Sequence, residues 1–263
     1  MSQRLQQILN TKKQNGEKLL SIFLTAGFPK RTDTVDTIIR LAESGVDFIE
    51  LGIPFSDPTA DGPVIQRTSY QALKNGMSLP QVLDMVTEAR KSTDIPIILM
   101  GYLNPVYQMD IDKFIERMAQ VGADGLIIPD WPYEESHLYL EKLNAADIDL
   151  IHLIAPNTPM SRIKQIDDIS TAFLYCVAYT GVTGQDSRPT PETCRFFDNL
   201  NGNLRHSWMI GFGVKNHEQF QLYTQYADGV IIGSAFLQLL EKTPINERKT
   251  AIADFIRRIR YVK

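Results

Sequence analysis

Eight apolar runs of strand length, helically periodic segments between them, and a strand-entry pattern that recurs three times predict an α/β fold, a closed (β/α)8 TIM barrel. The runs fall at 19–25, 46–51, 95–100, 124–129, 148–154, 172–178, 207–212 and 228–233. The second is representative: β-branched and aromatic residues dominate it, and Gly52 and Pro54 end it, as in a strand buried on both faces. The recurring entry is Gly45-Val46-Asp47-Phe48-Ile49, Gly122-Ala123-Asp124-Gly125-Leu126 and Ala227-Asp228-Gly229-Val230-Ile231. Its progression from small residue to Asp to apolar stretch fits a repeated βα unit. An open, doubly wound sheet would alternate in the same way, but no Gly-x-Gly-x-x-Gly follows the first run, and the barrel is favoured.

Two further helices fall outside the eight units. Residues 2–13 place Leu5, Ile8 and Leu9 on one face and are expected to plug the bottom of the barrel. Residues 245–261 place Ile252, Phe255 and Ile259 on one face in the same manner. The Arg257-Arg258-Ile259-Arg260 run reads as a solvated helix face whose cations suit a helix C-terminus. No Gly/Ser linker or low-complexity tract divides the chain, so residues 1–263 are expected to form a single domain.

The composition excludes several classes of function. With 43% hydrophobic and 22% charged residues and a formal net charge of −4, the chain offers no field that would select nucleic acid or an anionic membrane. No apolar stretch approaches the roughly 20 residues of a membrane span, and the polar N-terminus lacks the apolar core of a signal peptide, so a cytoplasmic location is expected. Cys176 and Cys194 are too few for a disulfide framework and read as reduced structural residues. His137, His152, His206 and His217 form no His-x-x-His pattern, and no zinc site is expected.

The chemistry concentrates in FIELGIPFSDPTADGP. Glu50 ends an apolar strand, and Asp61 lies beyond a Pro-rich turn. Two titratable groups held in different surroundings are what an enzyme needs to protonate one atom and deprotonate another. The plainer alternative is that Asp57-Pro58 and Asp61-Gly62 only shape turns and that Glu50 is paired with a cation. A second signal lies after the last three strands, in Gly181-Val182-Thr183-Gly184, Gly211-Phe212-Gly213 and Gly233-Ser234-Ala235. All three would lie on one rim, where close backbone N–H groups and the helix N-terminus after Ser234 suit a phosphate-bearing ligand.

FIELGIPFSDPTADGP, followed by PDWPYEE, GVTG, GFGV and IIGSA, resembles the tryptophan synthase α chain family over nearly the whole length. The resemblance implies retro-aldol cleavage of indole-3-glycerol phosphate to indole and glyceraldehyde 3-phosphate, without metal or organic cofactor. It implies Glu50 as the acid–base group and Asp61 as the acceptor of the indole N–H. By motif position it brings Phe23, Leu99, Tyr102, Tyr175 and Phe212 to the indole and glycerol pocket, and Thr183, Gly184, Gly213, Gly233 and Ser234 to the phosphate. Asp57 and Pro58 would lie in a loop contacting a β chain, in an α2β2 heterotetramer that passes indole onward for L-tryptophan synthesis. The GVTG segment would act as a lid. Thr59, Trp131 and Ala178 depart from the family pattern near these loops and the β contact surface, which bears on loop dynamics and partner affinity rather than on the reaction.

Three other readings are compatible with parts of this pattern. A stand-alone lyase releasing free indole would use the same carboxylates and cradle. A catalytically silent regulatory module would have no use for Glu50 and Asp61. Another phosphate-binding barrel, such as an isomerase of amino-aldose phosphates, would not call for the SDPTADGP loop.

Overall fold

The computed structural model describes residues 1–177, 189–211 and 213–261. Its parallel strands are β1 (Leu19–Thr25), β2 (Phe48–Gly52), β3 (Ile97–Met100), β4 (Gly125–Ile127), β5, β6 (Phe173–Val177), β7 (Ser207–Gly211) and β8 (Gly229–Ile232). Strand β5 is interrupted, with Asp149–Leu150 pairing with β4 and Leu153–Ile154 pairing with β6. Between these halves Ile151 donates its N–H to Leu126 (2.9 Å), and the His152 carbonyl accepts from Tyr175 (3.0 Å). The broken strand thus joins the two ends of the sheet, and since β1 also pairs with β8, the barrel closes.

The repeated strand entry has a physical explanation. Asp47 accepts the N–H of Leu20 (2.7 Å), Asp124 that of Ile97 (2.8 Å) and Asp228 that of Trp208 (3.1 Å). In each case the carboxylate stands just before its own strand and satisfies an amide near the start of the neighbouring one. The backbones of these three residues also bond to the neighbouring strands, and the regular strands β2, β4 and β8 begin directly after them, one or two residues past the start of each apolar run.

At this N-terminal end of the barrel lies the first helix, Gln3–Asn15, with Leu5 and Leu9 buried and Ser2 as its N-cap. Ser2 Oγ also donates to Asp124 (2.6 Å), and the same carboxylate pairs with Arg4 and Arg90. The C-terminal element is a 3-10 turn, Ile245–Glu247, followed by the helix Arg248–Arg260, with Ile252, Phe255, Ile256 and Ile259 buried. Its Arg run is not uniformly solvated as the sequence suggested. Arg257 is exposed, but Arg260 turns inward to the buried carboxylate of Asp47 (2.6 Å). The Asp47 carboxylate needs a counter-charge that hydropathy along the helix does not reveal.

Alternate residues of each strand fill the barrel in layers. Phe48 on β2 meets Phe173 on β6 across the interior, ring centroids 5.3 Å apart. Two residues further along the same strands stand Glu50 and Tyr175, with Phe23 of β1 in register with Glu50. Two further still, Thr25, Gly52 and Met100 share one level at the C-terminal rim.

Candidate active site

A cavity opens at this rim, enclosing about 280 Å3 with its open mouth included. Phe23, Thr25, Asp61, Ser69, Met100 and Tyr102 are among the residues that line it. Asp61 reaches it from the loop between β2 and the helix Pro63–Lys74, whose Pro at the first turn and preceding extended Gly62 set the helix start. The loop is tied down at several points. Gln66 Nε2 donates to the Asp61 carbonyl (2.9 Å), and the Tyr102 hydroxyl accepts from the Ala60 amide (3.0 Å) while donating to Asp61 Oδ2 (3.1 Å). The other carboxyl oxygen, Oδ1, is buried without a partner among the described residues. Burial pushes the Asp61 carboxyl up to about 6, against the Tyr102 hydrogen bond that pulls it down.

Glu50 stands one interior layer below the cavity wall. It is fully buried, and among the described residues neither carboxyl oxygen has a hydrogen-bond partner and no cation pairs with it. Burial alone pushes its carboxyl up to about 8, so it holds a proton at neutral pH. The plainer expectation of a cation-paired structural Glu is therefore not met. The Phe23 ring lies over Gly52, where a Cβ would come within 2.5 Å of Phe23 Cζ, and Phe23 lines the cavity on the strand that pairs with that of Glu50. Tyr175 links the two levels. Its hydroxyl is pushed well above its usual value by burial and then by the charges of both Glu50 and Asp61. That hydroxyl occupies the space a Cβ at Gly211 would take, at 2.0 Å, so β7 admits the ring only because residue 211 is glycine.

The structure sorts the other expected residues. Phe23 and Tyr102 line the cavity; Tyr175 lies in the layer beneath it. Leu99 does not reach the cavity. Strand alternation turns it to the outer face of β3, fully buried, and brings Met100 to the wall instead. At Gly233 the nearest atoms a Cβ would meet among the described residues belong to Phe23 and Ile65, at 3.4 and 3.5 Å, which places this glycine against the cavity lining. Ser234 opens the helix Ser234–Lys242, and Gly213 sits exposed with φ 87°. Asp57 is exposed and Pro58 buried in the loop after β2. Thr183, Gly184 and Phe212, together with Ala178, lie outside the described residues.

Seven of the described lining residues escaped the motif reading, Thr25, Gly52, Ile53, Ile65, Ser69, Met100 and Gly101. Thr25 and Gly52 follow Phe23 and Glu50 by two, the strand period that marks an inward face. Ser69 follows Ile65 by four on the helix Pro63–Lys74, and both face the cavity. Among the described residues no group of three or more His, Cys, Asp or Glu is placed to hold a metal ion, and no helix is long and apolar enough to cross a membrane.

A closed (β/α)8 barrel with a cavity at the C-terminal rim of its strands has the architecture of a barrel enzyme. The family model for the tryptophan synthase alpha chain matches residues 9–261. A tryptophan synthase alpha chain from Christiangramia forsetii is 42% identical over 255 residues, covering 96% of this chain and 98% of that one. Among solved structures, tryptophan synthase subunit alpha from Legionella pneumophila superposes with a TM-score of 0.87 at 34% identity, covering 98% of each chain. Tryptophan synthase from M. tuberculosis, in an aminoacrylate-bound form, matches with a TM-score of 0.86 at 28% identity, again covering 98% of each chain. The chain belongs to the tryptophan synthase alpha chain family and is a lyase subunit of tryptophan biosynthesis.

Proposed function

We propose that the chain cleaves indole-3-glycerol phosphate to indole and glyceraldehyde 3-phosphate, with Glu50 and Asp61 dividing the proton work. One observation carries this reading: the two carboxyls, both close enough to act on the Tyr175 hydroxyl, are set about two pH units apart, at about 8 and about 6, so that at pH 7 one is an acid and the other an anion. Glu50 delivers its proton to indole C3. Tyr102 donates to Asp61 Oδ2 and holds it toward the cavity, and Asp61 accepts the ring N–H and meets the positive charge that develops on the nitrogen. Ionised Glu50 then takes the proton of the side-chain hydroxyl. The bond from C3 to the carbinol carbon breaks, its electron pair returns to the ring, and the carbinol becomes the aldehyde of glyceraldehyde 3-phosphate. Glu50 ends protonated, as it began. General acid–base help of this type contributes roughly 10² to 10⁴ in rate.

The phosphate is held at Gly213, Gly233 and Ser234, where the N-terminus of the helix Ser234–Lys242 favours negative charge. Family resemblance adds Thr183, Gly184 and Phe212. No metal or organic cofactor enters the reaction. Members of the family normally pair with a β chain. For this chain the exposed loop at Asp57 is the contact with such a partner, in an α2β2 complex in the cytoplasm to which indole passes directly. Indole formation from indole-3-glycerol phosphate, measured with and without a β chain, tests the proposal. Indole is expected in both conditions and faster with the partner; no indole in either overturns the reaction. Co-elution with the β chain on size exclusion separates the paired enzyme from a stand-alone lyase.

A further inference from the structure

Ser69 is a buried hydroxyl on the helix Pro63–Lys74, 4% exposed, and neither the family motifs nor the proton work above gives it a part. It makes an unusual pair of bonds. Its Oγ accepts the N–H of Phe55 (2.7 Å) and donates to the carbonyl of the same residue (2.9 Å). One hydroxyl thereby satisfies both backbone groups of a residue in the middle of the loop that follows β2, and it fastens that loop to a rigid helix. The chain of contacts continues. The Phe55 ring stacks on Tyr102, with centroids 5.1 Å apart and planes at 24°. The Tyr102 hydroxyl then holds Asp61 Oδ2 and the amide of Ala60. Beside Ser69, Thr68 anchors the same helix to the barrel by a hydrogen bond to Thr25 (2.8 Å).

We propose that Ser69 is a positioning residue for the reaction: by latching Phe55 it sets Tyr102, and through Tyr102 it fixes the orientation of the Asp61 carboxyl over the cavity. The latch rests on the part assigned to Asp61 above and extends it to a residue that does not touch the ring nitrogen. Without the latch, Phe55 loses its backbone partners, the stack on Tyr102 loosens, and the loop carrying Asp61 lifts toward water. Misplacement of a reacting group by about 1 Å costs on the order of 10²-fold in rate.

The test uses the full chain and steady-state indole formation from indole-3-glycerol phosphate across pH, for Ser69→Ala, Ser69→Thr and Asp61→Asn. Ser69→Ala is expected to lower kcat by about 10- to 100-fold with little change in KM. It is also expected to move the acidic limb of the pH profile down from about 6, because burial is the larger cause of the Asp61 shift and hydration relieves it. Ser69→Thr, which keeps the hydroxyl, restores most of kcat and the position of the limb. Phe55→Leu breaks the stack without touching the helix and is expected to lower kcat in the same way should Ser69→Ala fold poorly. If Asp61→Asn abolishes indole formation while Ser69→Ala and Phe55→Leu keep the wild-type kcat and acidic limb, the latch is wrong. Equal losses in Ser69→Thr and Ser69→Ala, or a limb that does not move down, also overturn it. If Asp61→Asn itself stays fully active, the reading on which the latch rests is what fails.

Discussion

Replacing Glu50 by Gln is expected to make the protein more stable while removing its activity, and the gain in stability has a defined dependence on pH. The folded chain holds this carboxyl at about 8 against an ordinary value of 4.5, through burial with no hydrogen bond or cation among the described residues. Its contribution to stability is complete below the unfolded value and is lost as pH rises through the folded one. At pH 7 the unfolded chain is ionised here and the folded chain is not. Two and a half pH units, at ~1.4 kcal/mol each, amount to about 3 kcal/mol. That is a large share of the ~5–15 kcal/mol that holds a typical domain together. Gln cannot ionise, and its amide is as poorly partnered as the neutral acid, so the two chains are expected to differ little at pH 5 and by about 4 kcal/mol at pH 8. Urea unfolding of wild type and Glu50→Gln at pH 5, 7 and 8 measures this. A stability difference that stays constant across that range, or shrinks as pH rises, would refute the claim that the buried carboxyl is kept protonated by the fold.

Three other perturbations test separate parts of the structure. The pH profile of kcat/KM is expected to be bell-shaped, failing below about 6 as Asp61 takes a proton and above about 8 as Glu50 loses one; a profile flat from 5 to 9 would contradict both assignments. Gly233→Asp is expected to raise KM by at least about tenfold through repulsion of the phosphate, whereas Gly233→Ala, whose Cβ meets nothing closer than 3.4 Å among the described residues, leaves KM and stability nearly unchanged. Steady-state kinetics and thermal melts of the two variants distinguish them. Asp124→Ala, at the opposite end of the barrel, strands the half-buried Arg90 guanidinium and the Ile97 amide and is expected to cost about 3–5 kcal/mol in urea unfolding, with kcat of the folded protein unchanged.

The barrel was legible because its signal is local and repeated. Eight short apolar runs, each ended by turn residues, need no long-range information, and they correspond to the strands found. The echo at Asp47, Asp124 and Asp228 was visible as a pattern, but its cause, an amide on the neighbouring strand, depends on pairing that the sequence does not carry. The inward turn of Arg260 was hidden for the same reason, since its partner Asp47 is more than two hundred residues away. At the site, FIELGIPFSDPTADGP pointed to Glu50 and Asp61 by chemistry and spacing. It could not show that Asp61 lines the cavity whereas Glu50 is fully buried one strand layer below it. The exchange of Leu99 for Met100 is a one-residue matter of strand register, which flips a side chain from one face to the other. Ser69 carries no catalytic motif, and only its two bonds to Phe55 reveal it.

Division of proton work between two unlike carboxyls is tested most directly by indole formation from indole-3-glycerol phosphate in wild type, Glu50→Gln and Asp61→Asn, each checked for native circular dichroism. Both variants are expected to lose at least ~10²-fold in kcat while remaining folded. Either variant turning over within about threefold of wild type, well short of that loss, would contradict it.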